Sequence, residues 1–221
     1  MVRTFSYLLA ILSVVVVTTT TPVEAQTVKE DAEAAQPDRI RGQITTVEEN
    51  SIVIATAGGE EVHLGFSNGV SIFSLSKASF TDVDFGSYVG SVSVRLDTYS
   101  PIVRDSLSWL HRGFELRIID DEIRGIALGH TSWDLSSDSV MSHGWVDDLE
   151  IRVLSIKYGP TEEEETDVDI PRNVPIHRMA LGDKSLLQPG AHVFAGAQKD
   201  ANDNYAAIFV LIGKDGVVPS M

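Results

Sequence analysis

The chain contains no cysteine. That excludes disulfide staples, thiolate nucleophiles or metal ligands, and a lipid-modified N-terminal cysteine. Positive charge is scarce too: 17 Lys and Arg stand against 32 Asp and Glu, a formal net charge of −15. A field of that sign repels phosphate backbones and anionic membrane surfaces, so nucleic acid is not expected as a partner, whereas cations and basic surfaces are attracted. Long hydrophobic runs are missing as well. The longest, Phe5 to Val17, covers about 13 residues where a bilayer-spanning helix needs ~20. No phosphate-cradling glycine loop, paired-cysteine metal site or zinc-protease helix is present. The expectation is a non-enzyme with no catalytic residues and no obligatory cofactor.

What is present begins with an export pattern. Arg3 precedes the apolar run, a threonine stretch follows, and Val23-Glu24-Ala25 offers short side chains to a signal peptidase, predicting cleavage before Gln26. Residues 1–25 therefore read as a signal peptide, which places the mature chain in the periplasm or outside the cell with no integral membrane span. Retention of the segment as an anchor that borrows the threonines is the competing reading. Cleavage removes Arg3 and Glu24, one charge of each sign, so the net charge of −15 is kept. Residues 26–38, rich in Ala, Glu, Asp and Gln, read as a flexible leader.

From Ile40 onward, apolar and polar residues alternate in short runs broken by Gly, Asn and Asp, the period of half-buried strands. The pattern occurs twice. Arg41-Gly42-Gln43-Ile44, Ser51–Ile54, Val62–Leu64, Val70–Ile72 and Phe85–Val89 are echoed by His143-Gly144-Trp145-Val146, Arg152–Ile156, Val168–Ile170, Val174–Ile176 and Pro189–Phe194. A closing run ends each copy, Phe114–Ile118 and Ile208–Ile212. Five short strands with a small turn before the last pair predict an all-β protein of two tandem OB-like barrels. Their expected spans are 39–119 and 141–221, joined by an irregular linker over 120–140.

These residues resemble a group of exported bacterial proteins built from tandem OB-like domains of unknown function, some of which carry metal-transporter labels. The resemblance covers Arg41 to Met221. It is most specific at Arg124-Gly125, at Gly129-His130-Thr131-Ser132-Trp133-Asp134, at Leu187–Phe194 and at Gly213-Lys214-Asp215-Gly216. It implies a fold and a compartment, and no reaction.

Candidate chemistry concentrates between the copies. His130, Asp134 and His143 carry imidazole and carboxylate donors suited to zinc, copper or nickel, and converge if the linker folds back over the second barrel. The structural alternative is that His130 and Trp133 plug the seam while Asp134 caps a turn. The acidic run Glu162–Asp169 reads as a solvated hairpin tip. Asp200–Asn204 imitates the start of a calcium loop but lacks its glycine and final glutamate. Gly65-Phe66-Ser67-Asn68-Gly69 matches a nucleophile elbow in letters only, because another strand run follows it rather than a helix. The sequence therefore favours a periplasmic, non-enzymatic binding or accessory module of the cell envelope, its partner an envelope protein or small ligand. The alternative is a metal-handling protein that holds a divalent transition metal through His130, Asp134 and His143.

Overall fold

The computed structural model describes residues 37–96, 110–161, 163–200 and 204–219. The segments expected as signal peptide and leader, up to residue 36, lie outside the described residues, as do most of the connection expected over 96–112 and residues 201–203 of the calcium-like run. The fold is all-β. Its strands are β1 (Asp38–Val47), β2 (Ser51–Thr56), β3 (Glu61–Lys77), β4 (Tyr88–Arg95), β5 (Leu110–Ile119), β6 (Gly129–Ser132), β7 (Ser139–Glu150), β8 (Val153–Lys157), β9 (Glu165–Asp169), β10 (Ile176–Leu181), β11 (His192–Lys199) and β12 (Tyr205–Gly213). Among the described residues, no helix is long and apolar enough to cross a membrane.

All twelve strands share one hydrogen-bonded sheet, and two additional pairings, β12 with β3 and β5 with β9, turn its ends back on it. The first closes the circuit β1-β2-β3-β12-β11, in which only β3 and β12 run parallel. The second closes β7-β8-β9-β5-β4, in which only β5 and β9 run parallel. The two ladders correspond residue by residue. Gly42 faces Val193 in one as Gly144 faces Val89 in the other, and both leading strands carry a register shift at the same place, Ile44/Thr46 and Val146/Asp148.

The expected barrels of 39–119 and 141–221 do not each close on themselves. Each circuit takes three strands from one copy and two from the other. The reason lies in β3, where Val62–Leu64 and Val70–Ile72 belong to one strand of 17 residues rather than two. Its first part pairs with β2, and its last part, Phe73 to Lys77, pairs with β10, so the chain has crossed to the second circuit before β4 begins. In the second copy the same path is split into β9 and β10 around Pro171 and Pro175, which have no N–H to give a ladder. The crossing is centred on Leu75 opposite Met179.

Alternation places one side chain in two inside each circuit. Ile44, Ile52, Ile54, Leu64, Val193, Val210 and Ile212 fill the first, and Val89, Leu116, Val146, Leu154, Ile156, Val168 and Ile170 fill the second. Each such side chain, fully buried, contributes roughly 1.5–3 kcal/mol. A third cluster, with Phe73, Leu75, Tyr88, Ile119, Met179, Phe194 and Leu211, joins the outer faces of the circuits. Gly42 and Gly144 are required by close approach: a Cβ on either would strike the carbonyl oxygen of Ala55 or of Lys157. The segment over 120–140, expected to be irregular, contains a 3-10 turn at Asp121–Ile123 and the strand β6, which pairs with β7.

Candidate functional site

The three residues expected to bind metal do not meet. In the β6–β7 ladder His130 lies opposite Ser142 and Gly129 opposite His143, so His130 shares a face with Ser142 while His143 points to the other side. His130 Nδ1 is 2.9 Å from Ser142 Oγ. The His143 ring instead lies against Gly90 of β4, and burial, with Arg117 nearby, pushes its pKa down to about 4. Asp134 follows β6 in a turn, where it accepts two 2.8 Å hydrogen bonds from the Arg41 guanidinium, with Arg39 3.6 Å away. Burial lifts the Asp134 carboxyl, but Arg41 and Arg39 outweigh that and hold it below the usual range. Arg39 in turn lies 3.9 Å from the centre of the Trp133 ring, so this segment is clamped to β1. Trp133 packs, partly buried, against the cluster of Phe73, Tyr88 and Phe194, its ring centre 6.0 Å from that of Phe194, and Asp134 is engaged by arginine.

The partner His130 does find is His111 of β5, with ring centres 6.0 Å apart and nearly perpendicular. Tyr158, just after β8, stacks on His130 with ring centres 5.2 Å apart. His111 is buried, and its Nδ1 is 3.1 Å from Ser93 Oγ. The rings line a cleft of about 270 Å³ together with Arg95, Asp138, Glu165 and Thr166. The site follows from the topology. Arg95 ends β4, His111 is near the start of β5, Glu165 starts β9 and Tyr158 follows β8, so all lie at one end of the second circuit. Burial lowers the His130 pKa, leaving a neutral imidazole at pH 7, and burial beside Glu164 and Glu165 raises that of Tyr158.

The corresponding end of the first circuit has different chemistry. The row Arg95–His111–Val168 is matched by Lys199–Tyr205–Leu64, and Ser93 by Ala197. Among the described residues no strand lies beside β1 as β6 lies beside β7. The two circuits share a ladder, and only the second carries the histidine cleft.

A second polar group sits on the outer face of β5. Glu115 is 1%, Arg117 4% and His177 7% exposed. Arg117 Nε donates to Glu115 Oε1 at 2.8 Å, Nη2 donates to Oε2 at 3.2 Å, and His177 Nδ1 is 3.1 Å from Oε1. Burial raises the Glu115 pKa, but Arg117 and the hydrogen bond from His177 bring it to about 2.

Elsewhere, Ser67 is exposed within β3, where the ladder to β12 breaks between Phe66 and Ser71, and no helix follows it. His63 is exposed on the same strand. Asp200 accepts from the Asn204 amide at 2.9 Å, as a turn residue does. Among the described residues, no three His, Cys, Asp or Glu side chains are already gathered to hold a metal ion. No local spacing marks His111 or Tyr158: their position is set by the pairing of β5 with β4 and β9 and of β8 with β9. Comparison with protein-family profiles, curated proteins and solved structures gives no match for this chain.

Proposed function

We propose that this chain is an exported, non-enzymatic binding module of the cell envelope, built from two OB-type barrels that exchange strands between the sequence copies. Its binding surface is the cleft of His111, His130 and Tyr158. What supports the barrel reading is the strand order of each circuit, three antiparallel strands followed by a parallel closure onto the last strand of the second pair, which suits a partly open five-stranded barrel of the OB type, whose loops take ligands. The pattern of Arg3, the apolar run and Val23-Glu24-Ala25 supports export.

The observation that carries this reading is the asymmetry. Two circuits with one register differ at the barrel end where the second gathers two histidines, a stacked tyrosine, an arginine and two carboxylates. Core packing does not require these groups, whereas recognition of a small polar ligand uses a few convergent polar groups of this kind.

The test is retention. Mature protein, residues 26–221, is incubated with a small-molecule extract of its own compartment, washed and examined by mass spectrometry beside a Tyr158→Ala variant. A ligand kept by the native protein and lost from the variant supports the cleft, and equal retention by both sinks it. N-terminal sequencing of the exported protein tests the start at Gln26.

A further inference from the structure

We infer that the ligand of this cleft is a neutral saccharide, one ring of which packs against Tyr158 while its hydroxyls bond to Thr166 and Glu165. The inference rests on the cleft being the binding surface and names the class of molecule it takes.

The lining groups sort by depth. Thr166 and His111 are buried, Tyr158 and Glu165 half-buried, and His130, Asp138 and Arg95 exposed. Among the described residues, the Tyr158 hydroxyl, the Glu165 carboxylate and the Thr166 hydroxyl make no hydrogen bond. Thr166 is only 7% exposed, yet among those residues the Trp133 indole nitrogen is the one fully buried side-chain polar atom without a partner, so the Thr166 hydroxyl keeps access to the cleft. Hydroxyls donate and accept, whereas a carboxylate only accepts, so the matching ligand offers donors and acceptors on neighbouring atoms, as the vicinal hydroxyls of a sugar do. Charge selects a neutral molecule. Asp138, Glu165 and the net charge of −15 oppose an anion, and Arg95 opposes a cation. A zwitterion would rely on Arg95 and Asp138, which are exposed, where ion pairs are worth little. Shape points the same way. The rings of His130 and Tyr158 lie 5.2 Å apart at 27°, whereas a flat base held between two rings needs ~7 Å, so the pair forms a wall rather than a slot. The apolar C–H face of a sugar ring packs on such a wall. The volume of about 270 Å³ falls just below that of sites for drug-sized ligands and holds one ring. The first circuit lacks this chemistry: opposite Ile54 it carries Val62, where the second carries Thr166 opposite Ile156.

Saturation-transfer NMR and calorimetry of mature protein at pH 7.5 with glucose, galactose, N-acetylglucosamine, maltose and cellobiose, beside glycine and adenosine, are expected to show at least one sugar bound more tightly than either comparator. Tyr158→Ala lowers the affinity for that sugar at least tenfold and Thr166→Val at least fivefold, whereas His63→Ala leaves it within twofold. Thr166→Val installs the residue type the first circuit carries at this position, so the variant keeps the fold, which circular dichroism checks. A soluble glycan of the bound sugar, titrated beside it, separates a free sugar from the end of a polymer as the preferred source. No sugar bound, sugar binding unchanged in both variants, or glycine or adenosine bound more tightly than every sugar overturns the inference. A molecule of another class retained through Tyr158 while no sugar binds would leave the binding module standing and remove only the saccharide.

Discussion

The imidazole of His143 occupies the space a side chain would take on Gly90: a Cβ built on Gly90 falls 2.7 Å from His143 Cδ2 and Nε2. The two residues are direct partners across β4 and β7. Gly90→Ala forces the ring to move, and overpacking of this kind costs about 1–3 kcal/mol. In a His143→Ala background the same change is expected to cost far less, because the colliding atoms are gone. Urea denaturation of the four proteins in the cycle gives the coupling directly. An equal cost in both backgrounds would mean that something other than the ring fills the site.

Stability should fall in two steps as the solution is acidified. An unfolded histidine takes its proton near pH 6.5, but folded His143 does so only near 4, because burial disfavours the charged ring and Arg117 opposes it. Between those values the unfolded chain binds more protons, so stability declines as pH drops from 6.5 to 4. Burial lowers His130 as well, which adds in the same direction. Glu115 acts lower down. Its folded pKa of about 2 lies below the ordinary 4.5, so the stability it contributes is complete above 4.5 and is lost as pH falls toward 2. His143→Gln keeps a polar group of similar size against Gly90 while removing the His143 share of the upper step, so the decline between 6.5 and 4 becomes shallower. Urea midpoints measured from pH 7.5 to 3 check this, and a variant that declines as steeply as the native protein between 6.5 and 4 would refute it.

The strands were legible because alternation is local. Ile52 and Ile54, or Leu154 and Ile156, declare an inward face without reference to the rest of the chain. The partners of those strands were not legible. Nothing in Val62–Leu64 or Val70–Ile72 states that the two runs continue as one strand, and that continuity decides which copy supplies the closing strands. The site suffered from the same limit. His130 was visible as an unusual residue, yet its neighbours His111 and Tyr158 are set by pairing register, and the charge on Asp134 drew attention to a residue whose role is to hold Arg41.

Strand exchange makes a prediction about fragments. Residues 37–119 hold β1 to β5, but in the intact protein β1, β2 and β3 close with β11 and β12, while β4 and β5 close with β7, β8 and β9. A second copy of the fragment can supply strands of the same order, crossing at Leu75 against its own counterpart as it now crosses against Met179. Closing alone would instead require β3 to break and fold back. The isolated fragment is therefore expected to be a dimer by light scattering. A folded monomer would show that each copy is able to close on itself.

The buried group Glu115, Arg117 and His177 has apolar counterparts in the other circuit, which suggests how to measure its worth. The row Gly90–Arg117–His177 matches Phe194–Leu211–Phe73, and Val92–Glu115 matches Gly196–Phe209. One position thus carries charge in one circuit and hydrocarbon in the other. Removing a single partner leaves a buried charge unpaired, so Glu115→Ala is expected to cost about 3–5 kcal/mol. Replacing all three by their counterparts, Glu115→Phe with Arg117→Leu and His177→Phe, removes the charges together and should recover most of that loss. Chemical denaturation at pH 7 compares the two variants. A triple variant no more stable than Glu115→Ala would mean that the ion group is specified by its surroundings on β4, β7 and β10, and that the second circuit has diverged too far for the apolar solution of the first to fit.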